Sequence, residues 1–125
     1  MAKIIQMKDS EGLVYPISNV YSTEEQVIGT DIDGTRYRKV ITTNTPSTTN
    51  DSVVATIPEN DFVKKIDGLF YNQMASQLIP LNFYYSEQYN AVSYIQFNEI
   101  HMKVSVQDYT NCPLEIILEY TKTTD

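Results

Sequence analysis

Asp31-Ile32-Asp33-Gly34-Thr35 is the string in this chain whose residue types come nearest to covalent chemistry. Two carboxylates two residues apart can divide the labour of phosphoryl transfer, the first attacking phosphorus and the second handling the proton of the leaving group. The same pair could open a calcium loop, which takes oxygen ligands at alternate positions. His101 is the single histidine and Cys112 the single cysteine. The remaining candidate is the aromatic stretch Asn82-Phe83-Tyr84-Tyr85-Ser86-Glu87-Gln88-Tyr89-Asn90. Tyrosine rings there offer faces on which sugars stack, and Asn, Gln and Glu bind hydroxyls.

Each of these chemistries also needs a setting. The Asp-x-Asp-Gly-Thr string is that of haloacid-dehalogenase-type phosphotransferases, whose nucleophile ends a buried parallel strand and is followed by further acidic residues on α/β units. Here Ile28-Gly29-Thr30 precedes the string and no alternation of helix and strand follows. An EF-hand needs more oxygen ligands and a late Glu, whereas Arg36, Tyr37, Arg38 and Lys39 arrive instead. A lone histidine supports neither a His-rich zinc site nor a triad, so His101 reads as a surface residue on the polar side of its strand. Cys112, before Pro113, reads as a small buried or half-buried thiol. Glu24, Glu25, Glu59, Asp61, Glu115 and Glu119 fall in expected loops or on outer strand faces, not in a pocket where acid–base work is poised. No catalytic residue, cofactor or metal is expected. The candidate contacts for a glycan or receptor are Tyr84, Glu87, Gln88 and Tyr89, with Phe83 and Tyr85 facing inward.

The elements that must position these residues follow a period of two. Ile100, Met102, Val104 and Val106 alternate with polar neighbours, as do Leu114, Ile116, Leu118 and Tyr120 with Glu115, Glu119 and Thr121 opposite. Such alternation marks strands with one face on a core and one in water. Residues 27–31 and 35–42 flank Ile32-Asp33-Gly34, and Asp-Gly between β-compatible runs predicts a two-residue hairpin, because both residues tolerate positive φ. The basic residues 36–39 then decorate the solvent face and edge of a strand. Residues 52–57, 62–71, 78–85 and 91–97 supply further strands at the spacing of an antiparallel sandwich. Ser22 with Glu25 allows one helical turn, and 44–51 is a polar loop. Residues 1–20 read as a hairpin that needs another surface to cover it, an arm distinct from a domain over 21–125. The predicted fold is all-β: an antiparallel β-sandwich of about seven to nine short strands with a short N-terminal β-hairpin arm.

Composition narrows the functional class. The chain has 125 residues, enough for one core, and is 42% hydrophobic against 20% charged. A net charge of −7 argues against a phosphate backbone as partner, so no nucleic acid is expected. No apolar run is long enough for a bilayer span, and residues 1–6 lack the apolar core of a signal peptide. Ten Tyr and no Trp favour half-buried strands and binding surfaces alike.

Two stretches resemble a known domain. Tyr21-Ser22-Thr23-Glu24-Glu25-Gln26-Val27-Ile28-Gly29-Thr30, followed by Ile32-Asp33-Gly34 and Tyr37-Arg38-Lys39-Val40-Ile41, resembles the opening of the C-terminal domain of bacteriophage head-fibre and tail-fibre virion proteins. Leu118-Glu119-Tyr120-Thr121-Lys122-Thr123-Thr124-Asp125 resembles its terminal strand. The chain departs from that pattern at Asp31, where an aromatic residue, usually Trp, is expected. The resemblance implies a non-enzymatic, homotrimeric module on the virion, used for host attachment or capsid decoration. It further implies that residues 1–20 anchor the protein to capsid or tail proteins, as in a stubby head fibre rather than a long tail fibre. A free carbohydrate-binding module is the alternative.

Overall fold

The computed structural model describes the backbone of residues 4–8 and 14–18, and residues 21–123 in full. Its strands are β1 (Ile4–Lys8), β2 (Val14–Ser18), β3 (Gln26–Asp31), β4 (Gly34–Asn44), β5 (Ser52–Thr56), β6 (Phe62–Asn72), β7 (Gln77–Pro80), β8 (Phe83–Tyr84), β9 (Asn90–Gln96), β10 (Glu99–Val104) and β11 (Pro113–Lys122). One 3-10 turn, Gln107–Tyr109, is the helical element among the described residues. The order is β3-β4-β11-β6-β7 in a five-stranded sheet, β5-β10-β9-β8 in a four-stranded sheet, and β1-β2 in a separate pair. The protein is thus an all-β antiparallel sandwich, as its period-two patterning predicts. The expected strands of the N-terminal hairpin pair from Ile4↔Ser18 to Lys8↔Val14. Of the segment 8–12 expected to join the two strands, Lys8 ends β1 and 9–12 lie outside the described residues, as do Thr124 and Asp125.

The chain clusters into two compact units. The first takes the described residues up to Val40 together with 60–66 and those from Ile117 onward. Its strands run in the order β3, β4, β11, β6. Tyr37, Val40, Leu118 and Tyr120 are its buried apolar side chains, and the Tyr37 and Tyr120 rings stack at 5.9 Å. Gly34 begins β4 at φ +128°, and a Cβ there would lie 3.3 Å from the Lys122 carbonyl oxygen. Only glycine meets both conditions without strain. The hairpin turn therefore differs from the predicted one: Asp31 pairs with Gly34, the loop residues are Ile32 and Asp33, and Asp33 does not adopt positive φ.

The second unit, 41–59 and 67–116, holds the larger core. Phe70, Ile79, Leu114 and Ile116 from one sheet, and Ala91, Ile100, Met102 and Val104 from the other, are each at most 4% exposed. Burying a side chain of this size contributes on the order of 1.5–3 kcal/mol. Gly68 lets β6 approach β11, since a Cβ would fall 2.8 Å from the Glu115 carbonyl oxygen. The β9–β10 turn puts Phe97 and Asn98 at φ +53° and +59°, the two-positive-φ geometry of a type I′ hairpin.

Several expectations are corrected. No helical turn forms at 22–27: the Ser22 hydroxyl accepts the Glu24 N–H, and β3 starts at Gln26. Residues 78–85 are not one strand but β7 and β8, in different sheets, because Leu81 turns inward and its N–H donates to the Gly68 carbonyl. Glu119 and Thr121 are buried, not on a solvated face. Strands β4, β6 and β11 are 11, 11 and 10 residues long, so not all strands are short.

Candidate functional site

The turn joining β8 to β9 is built from short-range chemistry. The Tyr85 and Ser86 N–H groups both donate to the Tyr89 carbonyl, and the Tyr89 N–H returns a bond to the Ser86 carbonyl. The Asn90 amide donates to the carbonyls of Ser86 at 3.1 Å and Glu87 at 3.0 Å. Ser105, just past β10, accepts the Asn90 N–H on its hydroxyl at 2.7 Å and donates that hydroxyl to the Gln88 carbonyl at 2.7 Å. With its main-chain groups paired in this way, the turn is preorganised, and its side chains project from a fixed frame.

Of the residues singled out from sequence, Tyr84 is 72% exposed, and Glu87, Gln88 and Tyr89 are exposed as well. Tyr85 was expected to face inward but is 77% exposed, because β8 ends at Tyr84 and the chain turns there. The turn borders two clefts. The first, about 530 Å³, is lined by Leu78, Phe83, Tyr85, Tyr89, Asp108 and Tyr109, among others. The second, about 500 Å³, is lined by Thr49, Asn50, Glu87, Asn90, Lys103 and Ser105, with Val92 and Val104. Tyr89 therefore belongs to one cleft and Glu87 to the other, while Tyr84 and Gln88 line neither. Both volumes are typical of small-ligand sites.

Tyr109 ties the first cleft to the core. Its ring meets Phe70 edge-on at 5.4 Å and Tyr89 at 6.2 Å. Burial first, then the neighbouring Tyr89 and Asp108, push its hydroxyl above the ordinary tyrosine value, so it stays protonated. The sequence reading missed Tyr109, Asp108 and Leu78, which reach this cleft from a 3-10 turn and from β7. An isolated aromatic in the polar run Gln107-Asp108-Tyr109-Thr110-Asn111 was the available signal.

The other sequence candidates have structural partners. Asp31 accepts the Ile32 N–H on one oxygen and pairs with Arg36 at 3.3 Å on the other, and Asp33 pairs with Lys64. Arg36 also meets Glu119 at 2.8 Å, and the Arg38 guanidinium lies 3.9 Å over the Tyr21 ring. The basic stretch thus does not decorate an edge: β4 is an interior strand, and these two arginines face protein groups. His101 is not a bare surface residue. It stacks on Tyr94 at 4.8 Å, with Asp51 and Glu99 carboxylates each 3.7 Å from a ring nitrogen. Cys112 is buried as expected. Burial raises its thiol pKa, which the Thr45 hydrogen bond only partly opposes, so it carries no thiolate nucleophile at neutral pH. Comparison of the chain with family models, curated proteins and solved structures finds no match.

Proposed function

We propose that this chain is a non-enzymatic structural and attachment protein of a bacteriophage particle. It serves as a short head fibre, a decoration protein or a tail-fibre tip, and acts as a homotrimer on the virion surface. In this reading residues 1–20 hold it to capsid or tail proteins, and the sandwich is presented to the host. The observation that carries the proposal is the meeting of the two fibre-like stretches. Tyr37 stacks on Tyr120, and Glu25 accepts hydrogen bonds from Tyr120 and Lys122. Stretches far apart in the sequence thus pack against each other, which supports reading them together as parts of one unit.

The Tyr-bordered cleft offers the rings of Tyr85 and Tyr89 as surfaces on which a host ligand can stack. The same cleft favours the second reading, a free carbohydrate-binding module.

Mass spectrometry of purified particles separates the two. The fibre reading expects this chain in stoichiometric copies in particles encoded alongside it, within a gene cluster for portal, capsid and tail. Its absence from such particles, with glycan binding intact, establishes the free module instead. Light scattering that gives a monomer at micromolar concentration removes the trimer from the proposal.

A further inference from the structure

We infer that the Tyr-bordered cleft and the polar cleft, which share the 85–90 turn as a wall, are two parts of one elongated site for a neutral oligosaccharide. This rests on the attachment reading above and names its ligand. One turn supplies both walls: Tyr85 and Tyr89 to the first cleft, Glu87 and Asn90 to the second. A chain of sugars crossing the turn meets an aromatic floor and then a hydroxyl-binding one.

The chemistry of the two ends fits that ligand. In the first cleft Tyr85, exposed, and Tyr89, beside the buried Tyr109, supply aromatic rings on which the C–H face of a sugar can stack. In the second, the lining residues Asn50, Glu87 and Lys103 are polar and exposed, so their side chains can meet hydroxyls. The main-chain groups of the turn itself are already bonded to Ser86, Tyr89, Asn90 and Ser105, so a ligand crossing it is met by side chains.

Charge selects a neutral chain. Among the lining residues of the two clefts, two are acidic, Asp108 and Glu87, and one is basic, Lys103. The whole protein carries −7, so a polyuronate or polysialate meets a repulsive field.

Binding of sized fragments of bacterial surface polysaccharides, neutral and uronate-containing, from single sugars to long oligomers, tests the inference. Neutral fragments should bind, with affinity rising about tenfold or more from the shortest to the longest as the second cleft is reached. Tyr85→Ala should abolish binding at every length. Lys103→Ala and Asn50→Ala should remove the gain with length and leave short fragments bound as before, and all three sites are exposed enough for the fold to persist. The elongated site is overturned by a flat length dependence, by a gain that both polar-cleft variants leave intact, or by preference for uronates. These outcomes leave the attachment reading standing. Absence of any glycan binding overturns the inference too, while presence of the chain in particles reports on the attachment reading separately.

Discussion

The cluster around Glu25 and the turn at 85–90 are both polar and both partly open to solvent, yet they use their hydrogen bonds oppositely. Around Glu25, side chains bond side chains: Tyr120 and Lys122 donate to its carboxylate, and nearby Arg36 bridges Asp31 and Glu119. At the turn, side chains bond the backbone: Ser86, Asn90 and Ser105 satisfy main-chain groups, and Tyr85, Glu87 and Gln88 project outward. The first arrangement closes a surface and the second holds one open. Polar composition alone does not distinguish a turn that projects its side chains from a structural clamp; what distinguishes them is which atoms the hydrogen bonds consume.

The comparison breaks most directly at Tyr120, whose side chain is fully buried. Tyr120→Ala removes the stacking partner of Tyr37 and the donor to Glu25, and should cost about 4 kcal/mol in urea unfolding. Tyr85→Ala, an equal loss of ring from the turn, should change stability by less than about 0.5 kcal/mol. Similar losses at the two positions would show that the turn is part of the core. Next in size is Arg36→Ala, which strands the buried Glu119 without its 2.8 Å partner. An unpaired group of this kind costs about 2 kcal/mol, and the double variant with Glu119→Gln should recover part of it. A double variant no more stable than Arg36→Ala would mean that the pair is not coupled.

Ser105→Ala sharpens the other side of the comparison. Its hydroxyl is both acceptor for the Asn90 N–H and donor to the Gln88 carbonyl, so its loss should cost about 1 kcal/mol. Hydrogen exchange at the Asn90 amide should accelerate. Unchanged exchange at Asn90 would remove Ser105 as the residue that positions the turn.

The strands and their inward faces were legible where alternation is strict, as in Ile100, Met102 and Val104, because burial on one face imposes period two on the sequence. What local pattern does not carry is which sheet a strand joins. Residues 78–85 alternate acceptably, yet Leu81 is drawn inward beside Gly68, and the chain changes sheets there. Glu119 and Thr121 read as solvent-facing for the same reason: the partner that draws Glu119 in, Arg36, is 83 residues away. At the candidate site the Tyr-rich turn was legible from composition and turn residues. The clefts were not, since Leu78 and Tyr109 reach them from distant parts of the chain.

The smallest expected effect is the pH dependence of the Glu25 clamp. Burial works against its ionised form, but the hydrogen bonds from Lys122 and Tyr120 and the charges of Lys122 and Lys39 outweigh it, holding the carboxyl below its ordinary 4.5. A carboxyl whose folded pKa is depressed contributes stability that is present above the unfolded value and lost as pH falls through the folded one. Wild type should therefore exceed Glu25→Gln in stability at pH 7, and the gap should narrow only below about pH 4.5. The pair is partly exposed, so the gap should also shrink with salt. A gap that stays constant from pH 7 into the acid range would assign Glu25 to packing rather than charge. The contrast between a surface closed by ion pairs and one held open by backbone bonds would then rest on Arg36 alone.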